Sequence, residues 1–171
     1  MTDYAKQILA GQFEAALAML SDCVQKCPPE HWDGIIGKYP FWQVAYHTLC
    51  FTDLYLSPNE GVFQPGKFQP QGWRELDDEY PSRRFDQREI AEYLALCLQK
   101  LRTALAAETP ASLQGESGFA RRKFSRGELY IYTTRHIQHH AAQLSAYLRR
   151  LGPAFQDLQT LPWRATGWPG A

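Results

Sequence analysis

A chain of 171 residues with 44% hydrophobic and 21% charged side chains suits one globular domain, long enough to bury a proper core. Its 18 basic and 18 acidic side chains cancel, which removes the electrostatic case for a nucleic-acid or membrane-surface partner. No apolar run is long enough to cross a bilayer and no N-terminal signal pattern is present, so the cytoplasm is the expected location.

The first expected helix runs from about Asp3 to Gln25, with Phe13, Leu17, Leu20 and Val24 as its apolar stripe. Gly11 weakens its middle and leaves room for a kink or break there. Cys27-Pro28-Pro29 stops it, and His31-Trp32-Asp33-Gly34 reads as a connector carrying a turn or surface histidine. The second helix starts near Pro40, runs to Leu56 and ends at Ser57-Pro58. A long irregular stretch, Asn59 to Phe85, follows. Its Phe63, Phe68, Trp73 and Tyr80 argue that it packs down onto the domain, and its composition leaves room for a short hairpin. The third helix opens with Asp86-Gln87-Arg88-Glu89, an N-cap aspartate with a glutamate three residues on, and carries the stripe Ile90, Leu94, Cys97, Leu98, Leu101 and Leu105. It ends before Thr109-Pro110. A polar loop leads through Gly115 and Gly118, and past the short basic run Arg121-Arg122-Lys123, which reads as solvated. The fourth helix opens with the capping box Ser125-Arg126-Gly127-Glu128 and stops at Gly152-Pro153. The remainder, 153–171, is an irregular tail with Trp163 and Trp168, expected to pack on the bundle or on a partner subunit. The sum is an all-α domain over 1–152, a four-helix bundle with a long crossover between its second and third helices. The four cysteines, Cys23, Cys27, Cys50 and Cys97, form no C-x-x-C pair and read as reduced thiols, with Cys50 and Cys97 in the core.

Chemistry concentrates in Arg135-His136-Ile137-Gln138-His139-His140-Ala141-Ala142-Gln143-Leu144. His136 and His140 are four apart, about 40° from each other on a helical wheel, in the sector of Thr133, Leu144, Tyr147, Leu148 and Leu151. His139 falls at the rim. On the second helix His47 stands at the centre of a sector with Val44, Cys50, Phe51 and Leu54. Imidazoles on apolar faces need partners, and one shared divalent metal satisfies all three. Three histidines that leave positions open fit a catalytic centre better than a structural one, and imidazole suits zinc, nickel, copper and iron. Gln43, Tyr132 and Gln143, each about one turn from a ligand, are the candidates to orient them. Ile137 stands where the H-E-x-x-H peptidase motif has its glutamate, which excludes that reading. Asp53 lies on the far side of its helix, so no acid or base is aimed at the site.

Two stretches resemble the DinB-like (YfiT-like) superfamily of bacterial metal-binding four-helix bundles. Phe41-Trp42-Gln43-Val44-Ala45-Tyr46-His47-Thr48-Leu49 is similar to the family's second-helix segment with its single ligand histidine. His136-Ile137-Gln138-His139-His140-Ala141-Ala142-Gln143-Leu144 is similar to its H-x-x-x-H-x-x-Q-L signature, with Ala142 where glycine is frequent. The resemblance spans roughly Asp3 to Leu151. It implies an up-down-down-up bundle, one divalent transition metal (zinc or nickel) on His47, His136 and His140 with His139 left out, and a homodimer. Relatives include thiol S-transferases that use bacillithiol or mycothiol, and isomerase-like or hydrolase-like branches. The expected activity is therefore a metal-dependent reaction on a small molecule such as a low-molecular-weight thiol, by transfer or hydrolysis. The rival is a non-catalytic metal-binding stress or interaction protein, and access to the metal site distinguishes the two.

Overall fold

The computed structural model describes residues 2–64, 66–69, 83–152, 154 and 162–170. It is mostly helical, in the order α1 (Thr2–Lys26), β1 (Ile35–Ile36), β2 (Tyr39–Pro40), α2 (Phe41–Tyr55), α3 (Gln87–Ala107), α4 (Pro110–Gln114) and α5 (Arg126–Leu151). None of its described helices is long and apolar enough to cross a membrane.

The helix starts follow from their caps. Asp86 accepts from the Glu89 N–H while Glu89 returns a bond to the Asp86 N–H, and Ser125 and Glu128 repeat this at α5. Each box satisfies two of the amide donors that a helix N-terminus leaves over. α4 is a helix the sequence reading missed. Five residues are too few for a 3.6-residue period to show, although Thr109 caps it and Pro110 opens it.

Four long helices share one core. α1 lies against α3 and α5, and α2 lies against the same two. Along α1 and α5 the contacts advance together: Phe13 with Tyr130, Met19 with Gln138, Cys23 with Ala141. Along α2 and α3 they also advance together, Tyr46 with Tyr93, Leu49 with Cys97 and Asp53 with Lys100. Between α1 and α3 they run in opposite order, Lys6 with Ala106, Glu14 with Arg102 and Val24 with Gln87. All four cysteines are free and buried.

Gly11 does not break α1. Its bare Cα is where the tail docks: the Gly167 N–H donates to the Gly11 carbonyl at 2.8 Å, and a Cβ at Gly11 would stand 2.5 Å from Thr166 Oγ1. Arg164 pairs with Asp22 at 2.9 Å, so residues 162–170 lie along α1. The described residues of the stretch after α2 that carry Phe68 and Phe85 pack down onto the bundle. Tyr46 donates to the Phe68 carbonyl at 2.6 Å and stacks on Phe85 with centroids 4.4 Å apart. Trp73 and Tyr80 lie outside the described residues. A hairpin of two-residue strands, which the sequence reading did not foresee, stands before α2 at Ile35–Ile36 and Tyr39–Pro40. Gly37 turns it with φ of 62°.

Two buried polar networks fix the helices against one another. Asp53 on α2 takes Lys100 Nζ at 2.5 Å and the Tyr93 hydroxyl at 3.1 Å, so it serves the α2–α3 contact, away from the histidines. Arg126, at the start of α5, is buried and pairs with Glu108 at 2.9 Å. Its Nη1 also donates to the carbonyls of Tyr55 and Ser57, at 3.1 and 2.9 Å. Those carbonyls belong to the frayed end of α2 and have no helical donor. Arg126→Met would leave them without a donor and the Glu108 carboxylate without its cation, with only the Tyr130 and Ser112 hydroxyls still bonded to it. The expected loss is about 3–5 kcal/mol, read as a lower urea midpoint, with Glu108→Gln costing less because the carbonyls keep their donor.

Candidate metal centre

The structure brings His47, His136 and His140 together. One ring nitrogen from each lies within 4.8 Å of the others. Ring centroids are 5.4 Å apart for His47 and His136, 5.0 Å for His47 and His140, and 4.6 Å for the pair on α5. Their placement differs from the wheel in one respect: all three are half-buried. The fully buried line of α5 is Leu129, Thr133, Ile137, Ala141, Leu144 and Leu148, so His136 and His140 stand at its edge. α2 is buried on nearly every side, and His47 and Phe51 mark its least covered face. A helix enclosed all round has apolar residues in every sector, so periodicity alone does not locate its open face.

The pattern along this face is continuous. From α2 come His47, Phe51 and Tyr55; from α5 come His140, His136 and Tyr132. Phe51 packs on His47 with centroids 4.8 Å apart and on His136 at 5.5 Å, while Tyr55 packs on Tyr132 at 5.8 Å. Phe51 is a wall of the site that sequence reasoning did not single out, although its i+4 spacing from His47 was the available signal. Tyr132 contacts Tyr55, Phe124 and the Arg122 guanidinium, which lies 4.9 Å from its ring, and thus belongs to an aromatic cluster beside the histidines. Arg122 is not simply solvated. It is half-buried and donates to the Tyr55 hydroxyl at 2.9 Å, while Arg121 and Lys123 stay exposed.

The polar neighbours divide. Gln143 Oε1 lies 2.8 Å from His140 Nδ1, so the imidazole donates there and keeps its Nε2 lone pair. His139 is exposed and sits 3.4 Å from Gln143 Nε2. His136 Nδ1 is buried with no hydrogen-bond partner. Gln43 is buried one turn before His47, and neither atom of its amide is bonded.

A cleft of about 280 Å³ reaches His47 and His140. Its other walls include Gln43 and Val44 from α2, Gln143 from α5, and Ile36 and Tyr39 from the hairpin. The hairpin is pinned in place because the Phe41 N–H donates to the Gly34 carbonyl at 2.8 Å. Gly34 is also where the Tyr147 hydroxyl from α5 closes in, and any side chain there would collide with it. His31 holds that hydroxyl from the other side, Nδ1 to Oη 3.2 Å.

The donor set fits a divalent transition metal. Burial, chiefly, pushes the His136 pKa down to about 3, helped by the nearby His140 and His47; burial likewise takes His140 down to about 4, against the raising effect of the Gln143 bond. Both imidazoles are therefore neutral at pH 7 and present lone pairs, the form a metal binds. His136 also keeps one ring nitrogen buried without a protein partner, as a side chain awaiting a ligand would.

These depressed values carry a stability consequence for the metal-free protein. The unfolded chain, whose histidines titrate near their ordinary value of about 6.5, binds more protons below that pH than the fold does. The contribution is complete above pH of about 6.5 and is lost as pH falls through about 4 and then about 3. Thermal melts of metal-free protein should show Tm declining over that window. A double His136→Gln, His140→Gln variant should show a flatter profile.

Comparison with known proteins gives one result. Neither the curated proteins nor the solved structures contain a significant match to the chain. The family model described as the DinB superfamily matches residues 12–144, a stretch that includes His47, His136 and His140. With that stretch covering most of its length, the chain belongs to the DinB superfamily.

Proposed function

We propose that the protein is a metal-dependent enzyme in which His47, His136 and His140 hold one divalent transition metal, zinc or nickel. The reaction is transfer of a low-molecular-weight thiol to an electrophile, with hydrolysis as the other chemistry the same site supports. The observation that carries this reading is the cleft: it reaches His47 and His140 from outside, which a purely structural site has no use for. The non-catalytic alternative has no comparable feature in its favour.

When bound, the metal supplies Lewis acidity, which lowers the pKa of a thiol or a water. The protein supplies the rest. Gln143 orients the His140 imidazole, and Phe51 keeps water from the back of His47 and His136. The three imidazoles bring no negative charge, and no carboxylate joins them among the described residues. The anion that balances a dication therefore comes with the ligand entering the cleft. A thiolate or a hydroxide fits that requirement.

The helix contacts support an up-down-down-up bundle, with matched order for α1 with α5 and α2 with α3, and reversed order for α1 with α3. The reach from Leu56 to Asp86 then serves as the long crossover. A homodimer, the assembly the family resemblance implies, completes the reading.

Metal analysis by mass spectrometry, on protein purified without a metal-affinity column, tests the centre. The wild type should carry close to one zinc or nickel per chain, and His47→Ala and His136→Ala should lose it while keeping their helical circular dichroism. Metal-loaded protein should then accelerate the reaction of a thiol with a generic electrophile. No metal after reloading and desalting removes the enzyme reading, and no metal-dependent rate across the thiols tested removes the transferase.

A further inference from the structure

Among the described residues, Gln43 is the one side chain with two buried polar atoms lacking any partner, its Nε2 and its Oε1. It is 1% exposed. An unpaired buried donor or acceptor costs about 1–3 kcal/mol, so this amide is a liability for the fold. An apolar side chain of the same shape would pack there without that cost. Gln43 does not act as an orienting partner of His47 either, since it makes no bond to that ring or to any other group. What it does is line the cleft, one helical turn from His47, together with the hairpin residues Ile36 and Tyr39.

The amide head restricts what can satisfy it. It offers N–H donors and a carbonyl acceptor side by side. A carboxylate or a ketone has no donor for the carbonyl. A trans secondary amide points its N–H and C=O in opposite directions and closes only one of the two bonds. A primary carboxamide, or the cis-like edge of a cyclic amide or imide, presents donor and acceptor together and closes both. Resting on the reading of the cleft as the substrate site of a metal-dependent enzyme, we propose that Gln43 recognises a primary carboxamide or a cyclic amide or imide of the ligand, held beside His47 and His140 by paired hydrogen bonds. Gln43 is then the specificity-determining residue, and its energetic cost to the fold is the counterpart of that role. The cleft, at about 280 Å³, admits a small ring or the amide end of a larger molecule.

The test uses the full chain loaded with zinc, wild type and Gln43→Met, titrated by ligand-observed NMR with succinimide and with N-methylsuccinimide, which lacks the donor. The wild type should bind succinimide and discriminate against the methylated ring. Gln43→Met should weaken succinimide binding roughly tenfold or more and bind both rings alike. It should keep its zinc content and melt at the same temperature as wild type or higher. A fall in Tm, or failure to fold, would show Gln43 to be a structural group and overturn the inference. A fall in zinc content would make it a support for His47 and overturn it equally. So would the absence of succinimide binding, equal affinity for the two rings, or unchanged affinity in the variant. If wild-type protein retains no zinc, the metal reading falls, and the same titrations on the metal-free chain still decide the role of Gln43.

Discussion

Arg126 sets the height of α2 against α5, and the histidine cluster depends on that height. Its guanidinium reaches the carbonyls that close α2 and the Glu108 carboxylate that closes α3, from the first residue of α5. An ion pair this deep is weak evidence of net stabilisation, because apolar residues of similar volume often do as well. The carbonyls change that balance, since no apolar residue would satisfy them. From Tyr55 back to His47 α2 rises about 12 Å, and from Arg126 on to His136 α5 rises about 15 Å. A clamp at one end therefore brings imidazoles from two helices to comparable heights at the other. Between them the pairs Tyr55 with Tyr132 and Phe51 with His136 fill the seam.

The histidines stand where two demands meet. Deeper burial would hold them more firmly but seal them from any ligand, while full exposure would let them protonate near pH 6.5 and compete with metal. At the edge of the buried stripe His136 and His140 are covered enough to stay neutral, while His140, with His47, still lines a cleft. Ile137 and Ala141 take the central positions of that stripe, so α5 has its packing from one set of residues and its chemistry from their neighbours.

Much of this was legible in the sequence because it rests on local rules. The capping boxes at Asp86 and Ser125, the stripe of α1 and the i, i+4 spacing of His136 and His140 are each written in a few adjacent residues. What could not be read depends on contacts from far along the chain. Gly11 reads as a helix breaker until the tail is seen to lie on it. Arg122 reads as one of three solvated cations until Tyr55 and Tyr132 are found beneath it. The hairpin before α2 is two residues per strand, too short to alternate, yet it forms a wall of the cleft. His47 sits on a helix buried on nearly every side, so the sequence could group it with the pair on α5 but not show which of its faces meets them.

The surroundings of the cluster also decide from which side a ligand comes. Phe51, Tyr55, Tyr132 and Arg122 close one flank, and the hairpin with Gln43 leaves the other accessible. The closed flank is not electrically neutral. Arg122 adds to the burial that keeps His136 unprotonated, and the same fixed charge opposes any further positive charge at the centre. A dication held by three imidazoles would gather positive charge in a half-buried place that already has a cation behind it. The arrangement becomes favourable when an anion enters from the open flank, because that one event lowers the repulsion from Arg122 and the desolvation of the metal charge together. On the proposed reading, selection for an anionic ligand would follow from residues that never touch it, and the amide of Gln43 would select the part of the ligand that carries no charge.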